Sequence, residues 1–238
     1  ALDWIQKSNT QNPIFMWLHL YDPHSPYNSP EPFHSQYAAA PYDGEIAYTD
    51  HVLGVLFAQL EQQGFMGNAI TVIIGDHGES LGDHKELDHG YYVYDATVKI
   101  PLIISWPGHL KSRIVTQQVR EIDLLPTIAE LVGFQANGSV QGKSLTRLMN
   151  GQQMDVQPAY VESYTPKLYY GWSELVSIRS GDWKYIQAPE PELYNLKEDP
   201  NELHNLITER SDQARVLAEQ LKKMIAMGQK AQDLKAEA

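Results

Sequence analysis

The chain has 238 residues, of which 42% are hydrophobic and 20% charged, with a formal net charge of −12 and no cysteine. That length suffices for one large domain, or for a medium domain joined to a small one. The acidic balance disfavours a nucleic-acid backbone as partner, the lack of cysteine excludes a disulfide scaffold or thiolate metal site within the chain, and no apolar run reaches the roughly 18 residues of a membrane span.

In chain order, the opening Ala1-Leu2-Asp3-Trp4 carries no initiator methionine, basic n-region or apolar h-region. Any signal peptide is therefore expected outside the sequence in hand. The run Pro13-Ile14-Phe15-Met16-Trp17-Leu18-His19-Leu20 is short, apolar and aromatic, and a Pro/Ser/Asn cluster follows to Pro32. It predicts a buried strand entering a long loop. Ile46, Leu53, Leu56 and Leu60 recur at helical spacing, so residues 42–63 are expected to form a helix ended by Gly64. The β-branched run from Ala69 to Ile74 predicts a strand buried on both faces, as in a parallel sheet. A third strand is expected from Ile100 to Trp106, closed by Pro107-Gly108. Asp123 can cap a helix to Leu131, with Pro126 tolerated in its first turn and Gly133 ending it.

Beyond about Gln152 the texture changes. Ala159–Glu162, Leu175–Arg179 and Trp183–Gln187 read as short strands of a small antiparallel sheet. Residues 211–234 predict an amphipathic helix with Val216, Leu217, Leu221, Met224 and Ile225 on one face, docked on the body. The fold class is thus α/β, with residues 1–152 as the main layer structure and residues 153–238 as a small α+β subdomain.

The chemistry concentrates at two places. Asp76-His77 stands at the C-terminal end of a predicted central strand, the edge where open α/β sheets bind ligands. Both residue types ligate metals. His19 and His24 follow the first predicted strand, and His84 and His89 follow Asp76 closely. Imidazoles at such an edge can bind an anion, protonate a leaving group or ligate a metal. The aromatic stretch from Tyr164 to Trp172 serves either packing or the lining of a substrate cleft. Arg179 and Lys184 flank the Gly181-Asp182 turn and read as structural or solvated.

The string Ile73-Ile74-Gly75-Asp76-His77-Gly78-Glu79-Ser80-Leu81-Gly82-Asp83-His84 resembles the metal-binding segment of sulfatases in the alkaline phosphatase superfamily. Further segments agree in order. They are Asp22-Pro23-His24-Ser25-Pro26-Tyr27, Tyr42-Asp43-Gly44-Glu45 through Asp50 and Gly54, Val98 to Ile104 with Pro107-Gly108, Asp123-Leu124-Leu125-Pro126-Thr127 through Gly133, and Leu193-Tyr194-Asn195-Leu196 through Asn205-Leu206. The resemblance runs from Pro13 to Leu206. It implies the C-terminal half of an alkaline-phosphatase-like sandwich, with a small antiparallel sheet and helix as subdomain.

It also implies roles. Asp76 and His77 correspond to metal ligands. His24 corresponds to a residue that contacts the sulfate ester and assists catalysis. His89 stands where many members carry a lysine that contacts the sulfate and the leaving oxygen. Calcium is the family's expected ion, while the imidazole of His77 leaves room for manganese or zinc. The family's Asp-Asp pair and its Cys- or Ser-x-Pro-x-Arg motif, whose first residue becomes formylglycine, have no counterpart in these 238 residues. The nearest approach, Ser105-Trp106-Pro107-Gly108-His109, ends in histidine. The expectation is therefore a metal-dependent sulfatase whose nucleophile segment lies outside this chain, leaving the chain inactive alone. Its partners would be a small-molecule or carbohydrate sulfate ester and either the missing N-terminal half or a second copy in a homodimer. Family habit favours a periplasmic or secreted protein. The alternatives are a phosphoester or phosphonate hydrolase of the same superfamily, and a non-catalytic binding module.

Overall fold

The computed structural model describes residues 4–5, 7–8, 12–135, 138 and 140–236, with side chains to residue 228. Contacts divide the chain into two compact units, Ala1–Val72 with Ile103–Leu110, and Ile73–Leu102 with Lys111–Ala238.

The first unit is built on α1 (Phe33–Gln36) and the long α2 (Pro41–Gln62). Proline at the first helical position of α2 lacks only an N–H that would have no intrahelical partner there. The helix stops before Gly64, whose φ of +80° suits a glycine. Leu56 and Leu60 bury their side chains with Ile5, flanked by Phe57, Phe65 and Met66. Ile46, at the same predicted spacing, is instead exposed. Glu45 of α2 is buried because its carboxylate accepts hydrogen bonds from the backbone N–H groups of His24 (2.8 Å) and Asn28 (2.6 Å).

Strands β1 (Thr71–Ile74) and β2 (Leu102–Ser105) are neighbours in a two-stranded sheet, and the division between the units falls within them. Their burial corrects the sequence reading. All four residues of β1 are half-buried rather than fully enclosed, and Ile103 of β2 is exposed. A larger correction concerns residues 13–20, which form no strand: Phe15 is 80% exposed and Trp17 84%. Extended chain becomes a strand only where a neighbour completes its backbone hydrogen bonds. Among the described residues this sheet contains β1 and β2 alone.

The second unit contains α3 (Asp95–Val98), α4 (Leu124–Leu131), α5 (Thr146–Met149), β3 (Ala159–Ser163), α6 (Thr165–Tyr170), β4 (Leu175–Ser180), β5 (Trp183–Gln187), β6 (Glu192–Asn195) and α7 (Ser211–Ala236). Strands β3 to β6 pair antiparallel in sequence order. Alternation along the strands covers both faces of this sheet. Val176, Ile178, Tyr185 and Leu193 pack on Ala214, Leu217 and Leu221 of α7, while Ile186, Tyr194 and Leu196 pack on Val93. Leu217 and Leu221 are almost fully buried, and each such leucine stabilises the fold by about 1.5–3 kcal/mol. Val216, expected on the docking face, lies 52% exposed.

Asp123 stands at the N-cap of α4 but does not cap it with its side chain. Its carboxylate receives the Arg120 backbone N–H (2.9 Å), the Arg120 guanidinium (2.7 and 3.2 Å) and the Lys143 N–H (2.8 Å). That links the start of α4 to residues twenty positions on. Gly142 is required there, since a Cβ would sit 1.9 Å from the Ile122 carbonyl oxygen.

Candidate active site

The candidate site lies in the second unit, just past β1. Gly78 shapes it. Its N–H bonds the Thr97 carbonyl of α3 at 2.7 Å, and a Cβ on Gly78 would fall 2.2 Å from the Ala96 carbonyl oxygen. The turn is therefore pressed onto α3 backbone to backbone, which holds Asp76 and His77 outward. Their side chains are 78% and 37% exposed.

The Asp76 carboxylate accepts the His77 N–H at 3.0 Å, and the same oxygen lies 3.8 Å from His77 Nε2. His77 Nδ1 is 2.9 Å from the Gly78 carbonyl oxygen. Nδ1 donates this bond, because a carbonyl oxygen can only accept, so the lone pair of neutral His77 is at Nε2. Metal–ligand bonds of roughly 2.0–2.5 Å can join two donors 3.8 Å apart to one ion. The Asp76–His77 pair thus offers two donor atoms at a spacing that one cation can bridge.

The His89 ring lies against that of His77, centroids 4.0 Å apart and tilted by 30°. Behind it sits Glu79, its side chain 3% exposed, with carboxylate oxygens 3.2 and 3.4 Å from His89 Nδ1. A buried carboxylate on Nδ1 fixes the ring's orientation and favours the tautomer protonated there. Asp88 adds a carboxylate oxygen at 3.8 Å from the same nitrogen. Donor atoms of Glu79, Asp88 and His89 fall within 4.8 Å of one another, so this trio also has the spacing of a cation site.

The loop that carries His89 is tied at both ends. Ser80 N–H bonds the Asp88 carbonyl (3.1 Å), Gly82 N–H bonds the Glu86 carbonyl (2.8 Å), and the buried Glu86 carboxylate receives the Tyr91 N–H (2.8 Å). The Ser163 hydroxyl of β3 reaches the Gly90 carbonyl at 2.6 Å. His84 stacks on Tyr94 at 3.6 Å, with Nε2 3.1 Å from the Asn201 carbonyl oxygen, so it braces the loop.

Helix α3 is fixed by charge. Asp95 pairs with Arg179 (2.8 Å) and Lys184 (3.0 Å), and Lys184 pairs with Glu202 (2.9 Å). Glu202 in turn accepts the Asp95 N–H at 2.5 Å. Burial pushes the Glu202 carboxyl above its usual value, against the opposing pull of Lys184. Arg179 and Lys184 are thus structural.

A cavity of about 680 Å³ opens beside Asp88 and Tyr91, with Tyr170 and Trp172 on its wall. Of the predicted site residues, Asp76, His77 and His89 come together at the turn past β1 and are not among the residues lining this cavity. His24 belongs to the first unit, its Nδ1 2.7 Å from the Ser25 carbonyl oxygen and 2.9 Å from the Tyr21 hydroxyl. Sequence reasoning assigned no role to Glu79 or Asp88. Their signal was a carboxylate two residues past His77 and another directly before His89.

Comparison with known proteins places these motifs in context. The family model described as Sulfatase matches residues 1–134, and the one described as N-sulphoglucosamine sulphohydrolase, C-terminal, matches residues 82–231. Arylsulfatase K of Mus musculus is 28% identical over 71% of this chain and 32% of its own length. Choline-sulfatase of Rhizobium meliloti is 31% identical over 69% of this chain and 32% of its own. Among solved structures, one of a protein in complex with its substrate D-glucosamine-2-N,6-O-disulfate aligns with a TM-score of 0.64 and 26% identity, covering 80% of this chain and 40% of that one. The chain thus spans about a third of the length of these curated relatives.

Proposed function

We propose, from the premise that this chain belongs to the sulfatase family, that the whole protein hydrolyses a sulfate ester and that this chain supplies part of its active site. The observation that carries the reading is the Asp76–His77 pair with the carboxylate-held His89 ring 4.0 Å from His77.

Asp76 and His77 Nε2 would hold a divalent cation: calcium by family habit, with manganese or zinc suited to the imidazole. When bound, such an ion supplies positive charge against the sulfate oxygens. His89 acts on the leaving group. With Nδ1–H held by Glu79, the imidazolium form carries its exchangeable proton on Nε2; it passes this proton to the departing alcohol oxygen and is left as the neutral Nδ1–H tautomer. His24 contacts the sulfate group, a role that rests on its motif. The formylglycine nucleophile belongs to sequence outside these 238 residues, so this chain alone is expected to be inactive. The relative solved with a sulfated glucosamine supports a sugar sulfate among the candidate esters.

The test uses the whole protein with its nucleophile matured. Release of 4-nitrophenol from 4-nitrophenyl sulfate should exceed that from 4-nitrophenyl phosphate and from a phenylphosphonate ester. A chelator should abolish it, and His89→Ala should slow an alkyl sulfate ester by about 10²–10⁴-fold, the usual contribution of a positioned acid, and the 4-nitrophenyl ester less. Faster phosphonate turnover would move the reading to the phosphonate hydrolases of the superfamily. Indifference to chelation would remove the assigned ligands.

A further inference from the structure

The cavity beside the His89 loop has a wall that packing does not account for. Tyr170 and Trp172 are 51% and 65% exposed, yet their rings stack at 5.0 Å and 29°. They are also held. Pro166 of α6 is buried, Gly171 turns the chain at φ +67°, and Lys167 pairs with Glu174 at 2.9 Å across the same turn. The Tyr170 hydroxyl meets that of Tyr91 at 3.0 Å, which joins this wall to the loop carrying His89. Aromatic rings held in place with open faces have the form of a stacking surface.

We infer that this cleft binds a sugar ring of the sulfate ester's alcohol portion, stacked on Tyr170 and Trp172; the inference rests on the sulfatase reading. Pyranose rings present C–H groups on a face and hydroxyls around the edge. An aromatic platform takes the face, and polar groups at its border take the edge. Lys85, Asp88 and Ser173 line the same cleft and supply those donors and acceptors. Asp88 also connects the two sites, with its carboxylate 3.8 Å from His89 Nδ1. A volume of about 680 Å³ lies within the roughly 300–1,000 Å³ of small-molecule sites and exceeds what a single ring requires.

The whole protein should be assayed on sulfated disaccharides from chondroitin, heparin and carrageenan beside 4-nitrophenyl sulfate, as wild type, Tyr170→Ala, Trp172→Ala and His89→Ala. For the best disaccharide, Trp172→Ala should lower kcat/KM relative to that for 4-nitrophenyl sulfate about tenfold, the scale of one stacked ring. The loss should lie in KM, and the disaccharide should quench wild-type tryptophan fluorescence more than that of the variant. His89→Ala should slow both substrates and leave the quench in place. Both aromatic positions are exposed, so far-UV circular dichroism should match wild type and exclude misfolding. Equal losses on both substrates, or none, would overturn the sugar assignment. If no ester is hydrolysed but a disaccharide still binds through Trp172, the sulfatase reading falls while the sugar site stands.

Discussion

Lys184 tests whether buried charge positions the site. It is 1% exposed, with its ammonium 3.0 Å from Asp95 and 2.9 Å from Glu202. In Lys184→Met the Asp95 carboxylate keeps Arg179 at 2.8 Å. Glu202, 2% exposed, keeps the Asp95 N–H but loses its ammonium partner. Breaking a buried pair from one side costs about 3–5 kcal/mol. At about 2–4 °C per kcal/mol for 150–250 residues melting together, the transition in which this chain unfolds should move down by roughly 6–20 °C. The pH dependence follows from the sign of the shift. Burial already raises the Glu202 carboxyl above 4.5, and Lys184 opposes that rise. Without Lys184 it rises further, so the variant's carboxyl takes up a proton at higher pH. Stability from a raised carboxyl is full below its unfolded value and is lost as pH climbs through the folded one. The gap between wild type and variant should therefore be widest near neutral pH and narrow toward about pH 5. Scanning calorimetry of the whole protein across that range measures it. A loss below about 2 °C at neutral pH, or a gap that widens on acidification, would refute the reasoning.

Three further outcomes are expected. Gly78→Ala must move α3 or the Asp76 turn, because its methyl would meet the Ala96 carbonyl at 2.2 Å; ester turnover should drop at least tenfold with little change in far-UV circular dichroism. Glu79→Gln should slow esters of poor leaving alcohols by about 10–100-fold and aryl sulfates less, since it loosens the nitrogen that orients His89; equal slowing across leaving groups would contradict that role. Leu217→Ala should cost about 2–5 kcal/mol in urea unfolding, as its side chain fills the space between α7 and the four-stranded sheet.

Much of this was legible in the residues because it is local. Alternating apolar positions and Gly-Asp turn chemistry announce β4 and β5, and their pairing needs no distant partner. Helical spacing marks α2, and Asp76-His77 marks a strand end by its place after a β-branched run. The motif order from His24 to Leu206 points to the family, since it survives without coordinates. Tertiary structure decided the rest. Residues 13–20 have a strand's composition, but composition cannot provide the neighbour that makes a strand. Val216 sits within the predicted stripe of α7, yet the rotation of the helix on the sheet buries Ala214, Leu217 and Leu221 and leaves Val216 in solvent. The Glu79–His89 contact spans ten residues of loop, and the Asp95–Lys184 pair spans 89 residues of chain. Such pairings have no periodicity to read. They arise where packing withdraws a carboxylate from water and a cation or imidazole must meet it.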